Sequence, residues 1–232
     1  MHYPLFDLSE LFLILAFFVF PSLFSAPSES VSIPSSSDIP WLTVILYTLL
    51  VTYMAIRYHT AKKHTVVYGR KTKALSFLMY ISSTLTTVLL LIAANFIVSK
   101  FASHYSGDSF QPDINVSAES LADNVFLVFW TALLASFEEF TYRWLLPERL
   151  ISLWPVRLPE DSYTTTRKII CEAAVICLFA LSHRYMGWWA VLNALIAGII
   201  LRTRFFISGS VYPALFAHIL YNLTAFYGIL TP

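Results

Sequence analysis

Charged residues are scarce in this chain, and their scarcity excludes most soluble folds. Asp, Glu, Lys and Arg make up 12% of the 232 residues, whereas 57% of residues are hydrophobic and the mean hydropathy is +0.67. Soluble domains usually carry about 25% charged residues. With 15 Lys and Arg against 14 Asp and Glu, the net charge of +1 provides no bulk positive field for nucleic acid. The composition therefore indicates a polytopic membrane protein in contact with lipid.

Cysteine is nearly absent, and several hydrolase signatures are missing. Cys171 and Cys177 lie six residues apart in one hydrophobic run and point to different faces of a helix, so no disulfide framework or CxxC metal site follows. The chain has no HExxH zinc motif and no GxSxG nucleophile elbow. We interpret the Ser-Gly-Ser run at 208–210 as a helix cap rather than a nucleophile.

Long hydrophobic runs determine the predicted fold class. A helix needs about 20 apolar residues to cross a bilayer. Seven runs approach this length, which predicts an all-α polytopic bundle of about seven transmembrane helices. Six or eight are alternatives, because the fifth and sixth runs are short and could join at a tight turn at Met186-Gly187. The runs are Leu8–Phe24, Trp41–Ile56, Ala74–Val98, Leu121–Leu146, Ile169–Ser182, Trp188–Leu201 and Phe205–Leu230.

Alternating loops between these runs collect 12 of the 15 Lys and Arg residues. Among them are Arg149 and Arg167 in the fourth loop and Arg202 and Arg204 in the sixth. Loops kept in the cytoplasm are enriched in Lys and Arg. We therefore predict a multi-pass protein with a cytoplasmic amino terminus, in the cell (inner) membrane if the source is prokaryotic.

Two adjacent glutamates follow an apolar run in the segment SFEEFTYRWL, residues 136–145. An ionised side chain at mid-membrane costs about 2.5 to 3.5 kcal/mol, so Glu138, Glu139 and Arg143 should face the protein interior or water. Glu139 and Arg143 are four residues apart, the order that favours an ion pair. Glu138 has no such cation and is the better candidate for a general base. The alternative is that all three only cross-link helices.

Two histidines lie in or beside hydrophobic runs. His183 follows Phe179 by one helical turn, and Asn222 follows His218 by one turn. A single such histidine is usually a core residue with its hydrogen bonds satisfied. Two of them, together with a glutamate pair and an amide, form a polar set on which three helices could converge.

These motifs resemble those of a known family of membrane proteins. Residues 138–143 resemble EExxxR, residues 179–183 resemble FxxxH, and residues 218–222 resemble HxxxN of the CPBP family, the CAAX protease and bacteriocin-processing proteins also called Abi. They occur in the family's order, within about Leu121 to Tyr227. The type II CAAX prenyl endopeptidases are the members that the chain most resembles. The resemblance divides one membrane domain into 1–120, without family signal, and a catalytic helical core at 121–232.

The resemblance implies a glutamate-dependent intramembrane endopeptidase acting on a protein or peptide, lipidated or not. Glu138 and His183 are implied to hold and deprotonate the attacking water. His218 and Asn222 are implied to stabilise the oxyanion.

The remaining motif residues, Glu139 and Arg143, are implied to order the groups that contact the water. Other readings stay open. The same polar residues suit a proton-coupled transporter, or an immunity or binding protein without catalysis.

A metal is a second open point. The resemblance favours a metal-free reaction, so no cofactor is predicted. Zinc is the alternative: His183, His218 and a glutamate, Glu138, could bind it, with the second glutamate as base.

Straight helices would keep the glutamates and His183 apart. Pro147 should end or bend the fourth helix, which leaves Glu139 near one membrane face. His183 would then lie roughly 22 Å along the fifth helix, at about 1.5 Å per residue. Either the fourth helix continues past Arg143, or part of Leu145–Leu158 dips back into the bundle, or the predicted boundaries are wrong.

Overall fold

A computed structural model describes residues 4–25, 30–32, 39–63, 73–106, 113–115, 120–153 and 163–227. The described part is a helix bundle, as the hydrophobic runs predicted. Its α-helices, numbered α1 to α9, are Pro4–Ile14, Phe20–Phe24, Trp41–Lys63, Lys73–Ser106, Leu121–Glu138, Leu146–Ser152, Tyr163–Leu181, Trp188–Ser208 and Tyr212–Phe226. Two π-helical segments, Leu15–Val19 and Glu139–Leu145, join α1 to α2 and α5 to α6, and a 3-10 turn covers Arg184–Met186.

Four helices in the described ranges are long and apolar enough to cross a membrane: Trp41–Ala61, Phe77–Tyr105, Leu121–Ser152 and Trp188–Ser208. A shorter apolar helix covers Leu8–Phe24. The chain is an integral membrane protein. Helix α4 packs against α8 and α9, and α3 packs against α5, so the amino-terminal half contributes to the same bundle as the polar motifs.

Several predicted helix boundaries are wrong, among them the start of the last helix, which begins at Tyr212 and not at Phe205. The fourth helix does not end at Leu146 but continues to Ser152, with Pro147 inside it. Helix α8 does not end at Leu201 but continues to Ser208, so Arg202 and Arg204 lie inside a helix rather than in a loop. Helix α8 can continue because the Arg202 side chain is buried and paired with Glu172 instead of reaching water. Of the predicted basic loops, residues 64–72 and 154–162 lie outside the described residues.

The turns on either side of α8 depend on glycine. Gly187 precedes α8 with φ +93°, a conformation that L side chains rarely adopt, and forms the tight turn expected at Met186-Gly187. Gly209 follows α8 with φ +60°, and its N–H donates to the Phe205 carbonyl. The Ser208 hydroxyl accepts from the Ser210 N–H at 3.1 Å within this turn. The expected helix cap is not formed, because α9 has Val211 at its N-cap and no side-chain cap bond.

The amino-terminal helix is tied to the bundle by a buried polar network. The Arg149 guanidinium in α6 donates to Glu10 Oε2 at 2.9 Å, and the Tyr53 hydroxyl in α3 donates to Glu10 Oε1 at 2.9 Å. Arg57 lies 3.7 Å from the same carboxylate. The buried Arg149 side chain therefore bonds α6 to α1. Arg149 lies in a helix and not in the fourth loop, where the sequence pattern placed it.

Two smaller features complete the fold. Ser30–Ser32 and Asp113–Asn115 pair as short parallel strands. Cys171 is buried and Cys177 is exposed, which confirms that the two cysteines occupy different faces of α7.

Candidate active site

The helix that carries the glutamates changes from α to π geometry at the motif itself. Glu138 is the last residue of α5, and Glu139 begins the π-helical segment that ends at Leu145. At its end the Leu146 N–H donates to the carbonyl of Thr141, five residues earlier. Such wider turns are frequent at functional sites. The glutamates thus lie near the middle of a 32-residue apolar helix, Leu121–Ser152, and not at its end.

Glu139 is fully buried between two partners. Its Oε2 accepts from Arg143 Nε at 3.2 Å, which confirms the ion pair expected from the four-residue spacing. Its Oε1 lies 3.0 Å from His218 Nδ1. Because both neighbours satisfy the carboxylate, its burial does not leave an uncompensated charge.

Glu138 is the more accessible of the two acids. Its side chain is 27% exposed, whereas that of Glu139 is 0% exposed. Glu138 Oε2 lies 3.6 Å from His218 Nε2, so the two nitrogens of one imidazole face the two glutamates. At 3.6 Å the contact is longer than a direct hydrogen bond.

Phe179 lies at the centre of the polar set. The centre of the Arg143 guanidinium lies 4.3 Å from the centroid of its ring, and the rings of His183 and His218 lie 4.8 Å and 6.4 Å away. Both Arg143 Nη atoms are buried and have no hydrogen-bond partner within the described residues. The ring face of Phe179 is therefore the principal partner of this guanidinium beyond Glu139.

A glycine on α8 makes room for Phe179. A methyl group added at Gly198 would lie 3.2 Å from Phe179 Cδ1 and 3.4 Å from Ile176 Cγ2. Small residues at helix interfaces allow such close approach in membrane bundles. Gly198 thus sets the position of the ring that contacts Arg143.

His183 and Asn222 lie at the edges of this cluster. His183 follows the end of α7, and its Nδ1 lies 2.9 Å from the Phe179 carbonyl, so this nitrogen donates and Nε2 is left for other partners. Asn222 is half-buried one turn after His218 on α9. Within the described residues no hydrogen bond is recorded for the Asn222 side chain. The structure brings Glu138, Glu139, Arg143 and His218 into contact, and connects His183 to them through Phe179.

The continuation of α5 resolves the depth problem that the sequence raised. Of the three alternatives, the first is correct: the helix extends well beyond Arg143, and the glutamates lie near its middle. The contact between Arg143 and the Phe179 ring shows that the middle of this long helix packs against the carboxyl-terminal end of α7. Pro147 does not end the helix, because proline is tolerated in the first turn of α6.

Tyr185, in the 3-10 turn two residues after His183, was not singled out from the sequence. Burial raises the pKa of the Tyr185 hydroxyl to about 12, and the nearby Glu138 charge acts in the same direction. The phenol therefore stays protonated at neutral pH and can donate a hydrogen bond. An aromatic residue in a short turn gave no signal in a single sequence.

Four other buried or partly buried charges were not singled out from the sequence. They form two ion pairs, Arg149 with Glu10 and Arg202 with Glu172. The rule applied to Glu138, that an ionisable group in an apolar run needs a reason, would have singled out Glu10 and Glu172. Arg149 and Arg202 were missed because they were assigned to loops.

A pocket of about 670 Å³ lies between α6, α7 and α8, next to Arg143. Its lining is mostly apolar, with Lys168, Glu172 and Arg202 among the charged residues and Trp144 and Phe206 among the aromatic ones. Neither Glu138 nor His218 lines it. The pocket therefore lies beside the polar set rather than around it.

The zinc alternative finds no support in the arrangement of side chains. Among the described residues, no group of three or more His, Cys, Asp or Glu is arranged to hold a metal ion. His183, His218 and Glu138 therefore do not form a ready ligand set. The prediction that no cofactor is needed stays a prediction.

Comparison with known proteins identifies the segment that carries these residues. No curated protein and no solved structure matches the chain. The family model described as type II CAAX prenyl endopeptidase Rce1-like matches residues 121–224, which include α5 and the π-helical segment and most of α9. The matched segment contains all seven defined residues of the three motifs. Residues 121–224 of this chain are therefore similar to the type II CAAX prenyl endopeptidase Rce1-like family, which is consistent with the CAAX protease family expected from the motifs.

Proposed function

We propose that this protein is an intramembrane endopeptidase that hydrolyses a peptide bond in the CAAX tail of a prenylated protein, with Glu138 as the base. The family assignment supports a CAAX-type protease, and the name of the family supports a prenylated substrate. The observation that carries the proposal is the position of His218, whose two ring nitrogens face Glu139 and Glu138. One imidazole thus links a fixed acid to an accessible one.

The two acids differ in what they can do. The Glu139 carboxylate is held by Arg143, and an ionised carboxylate only accepts hydrogen bonds, so His218 Nδ1 carries a proton. His218 Nε2 then points towards Glu138 and the space beside it. Glu138 has no Arg or Lys partner within the described residues, so its oxygens are free to accept a proton from water.

The proposed reaction starts with a water molecule between Glu138 and His183. Glu138 takes a proton from the water, and the water oxygen attacks the carbonyl carbon of the substrate. This attack forms a tetrahedral oxyanion. His218, when Nε2 also carries a proton, donates to that oxyanion together with the Asn222 amide. When the carbon–nitrogen bond breaks, the proton held by Glu138 passes to the leaving amine. The products are a carboxylic acid and an amine, and the acid then gives its proton to the amine to form a carboxylate and an ammonium group.

Glu139 and Arg143 act on this reaction through His218. They are positioning residues: Glu139 bonds Nδ1 and fixes the direction in which Nε2 points. The ring of Phe179 packs against the Arg143 guanidinium and makes an edge contact with the His183 ring. We further propose that residues 121–232 form the catalytic core of a multi-pass protein with a cytoplasmic amino terminus, in the cell membrane if the source is prokaryotic.

Replacing Glu138 with Gln tests the proposal. The full-length protein in liposomes would be given a fluorogenic farnesylated CAAX peptide, with the same peptide lacking the lipid as a comparison. We expect E138Q to lower kcat by about 10²- to 10⁴-fold, the range that general-base catalysis contributes. Glu148→Gln is the matched control, because Glu148 is an exposed glutamate of the same long helix. It should cleave the peptide as the unchanged protein does.

Other outcomes would favour the other readings. If E138Q cleaves the peptide at the rate of the unchanged protein, Glu138 is not the base. If the unchanged protein cleaves neither peptide but carries protons across the liposome membrane, the transporter alternative is supported. A biological effect that survives replacement of Glu138, His183 and His218 together would support an immunity or binding role.

A further inference from the structure

We propose that Arg202, held by Glu172, is a positioning residue for the reaction proposed above: it supplies the hydrogen bond that Pro147 denies to the backbone carbonyl of Arg143. This inference rests on the proposed function for its effect on catalysis. Its structural part can be tested separately.

Pro147 leaves a gap in the backbone hydrogen bonding of the helix. Where the π-helical segment gives way to α6, the α-helical pattern resumes, and in that pattern the carbonyl of residue 143 would accept from the N–H of residue 147, which proline lacks. The preceding donor, the Leu146 N–H, is used by the Thr141 carbonyl in the π-helical pattern. Arg202 Nη1 donates to the Arg143 carbonyl instead. A side chain of α8 thus replaces a bond that the helix cannot make itself.

The remaining donors of Arg202 are also held. Its Nε and Nη2 donate to the two carboxylate oxygens of Glu172 on α7, a two-pronged ion pair. Its guanidinium centre lies 4.9 Å from the Phe205 ring and 4.3 Å from the Phe206 ring. Only 6% of Arg202 is exposed. These contacts fix the guanidinium in one orientation, with Nη1 directed at the Arg143 carbonyl.

The bonded carbonyl belongs to the residue that holds the fully buried acid. Arg143 pairs with Glu139, and Glu139 bonds His218 Nδ1. A shift of the π-helical segment would therefore move Glu139 and, through it, the direction of His218 Nε2. Displacements of about 1 Å can lower catalytic rates by about 10²-fold. Arg202, which the sequence pattern placed in a basic cytoplasmic loop, thus affects the geometry of the site.

Replacing Arg202 with Met removes every donor while keeping a similar length. We expect R202M to lower kcat on the farnesylated peptide by about 10- to 100-fold, with a smaller change in KM, because the reacting groups rather than the substrate contacts are displaced. Arg204→Met is the matched control, since Arg204 lies two residues away on α8 and its Nε has no hydrogen-bond partner in the described part of the chain. It should stay within about twofold of the unchanged protein.

Pro147→Ala provides the decisive second variant, because it returns an N–H to the backbone. In the R202M background, P147A should raise kcat, since the restored N–H can reach the Arg143 carbonyl. If Arg202 acted only through its ion pair with Glu172, P147A would not raise kcat in this background. Failure of P147A to raise kcat in that background would overturn the proposal, as would unchanged kcat in R202M.

Hydrogen exchange separates this inference from the proposed function. In full-length protein embedded in nanodiscs, R202M should speed amide exchange across residues 139–152, whereas R204M should not. This result can be read even if the unchanged protein cleaves no prenylated peptide, an outcome that would count against the proposed function alone. Equal exchange in R202M and the unchanged protein would overturn the role of Arg202.

Discussion

Two long apolar helices of this protein have similar lengths and the same buried share but satisfy their polar groups in opposite ways. In helix α4 and in the helix Leu121–Ser152, 33% of the 18-residue stretch that is apolar enough to cross a membrane is buried inside the protein. In α4, the buried hydroxyls of Ser83 and Thr87 are satisfied within the helix: they bond carbonyls three and four residues earlier, at 2.8 and 2.7 Å. In the other helix, Glu139 and the Arg143 carbonyl depend on side chains of α9 and α8.

The difference shows where precision is required. A helix that satisfies its own polar groups can pack in many ways, since its neighbours need only be apolar. A helix that relies on neighbours for buried charges is fixed in register by them, because a misplaced partner leaves a charge unpaired. Helix α4 is therefore a scaffold, and the glutamate-bearing helix is a positioned element. The following changes test this contrast.

The largest effect is expected for Glu139→Gln. It leaves the buried Arg143 guanidinium without its counter-charge, which should cost about 3–5 kcal/mol of stability and lower kcat strongly. Thr87→Val on α4 is the matched change, because it removes a buried polar group whose only recorded bond is to its own helix. Unfolding in detergent, followed by circular dichroism, measures both. Similar losses of stability in the two variants would contradict the contrast.

A smaller effect is expected for Phe179→Leu. The Arg143 guanidinium contacts this buried ring at 4.3 Å, and a buried cation–π contact contributes about 2 kcal/mol. We expect kcat to fall by about 10- to 30-fold. On α4, Lys100 lies 5.4 Å from the ring of Phe96, which is exposed. Phe96→Leu should therefore change kcat by less than about twofold, and comparable losses in both variants would refute the role of Phe179.

Gly198→Ala should act through the same ring with a smaller effect. The added methyl group lies 3.2 Å from Phe179 Cδ1, so the ring must move by a few tenths of an ångström. A fall in kcat of about 3- to 10-fold is expected. In the Phe179→Leu background the methyl group should have little further effect, because the two changes share one contact. Additive effects would show that Gly198 acts elsewhere.

The smallest effect is expected from chelation. The described residues hold no ready metal ligand set, so EDTA and 1,10-phenanthroline should leave peptide cleavage unchanged. Loss of activity that returns with added Zn²⁺ would instead support the alternative ligand set of His183, His218 and Glu138.

Some elements of the site could be predicted from the sequence because they depend on local spacing. The pair between Glu139 and Arg143 follows from four residues in one helix, and the contact of Phe179 with His183 follows the same rule in α7. The contact between His218 and both glutamates could not be predicted in this way. His218 lies 79 positions from Glu139 and 80 from Glu138, and only the packing of α5 against α9 brings them together.

The boundary errors have a common physical cause. Hydropathy treats a basic residue as a reason to leave the membrane, and it therefore ended the sixth run before Arg202. It treats proline as a reason to end a helix, and it therefore stopped the fourth run near Pro147. In the folded protein the two residues compensate for each other. Arg202 donates to the Arg143 carbonyl that Pro147 leaves unpaired, and that carbonyl gives the buried Arg202 guanidinium an acceptor. A pattern read along one segment cannot detect a compensation that lies 55 residues away.

By itself, the sequence determined that this chain is a membrane helix bundle, because composition and apolar length act on each segment independently. It also determined the motif set and the order of its members. The tertiary structure alone decided which acid is enclosed and which stays accessible, where the long helix widens to π geometry, and which distant charges support it. Those features depend on partners from other helices, and burying a charge is tolerated only where such a partner is within reach.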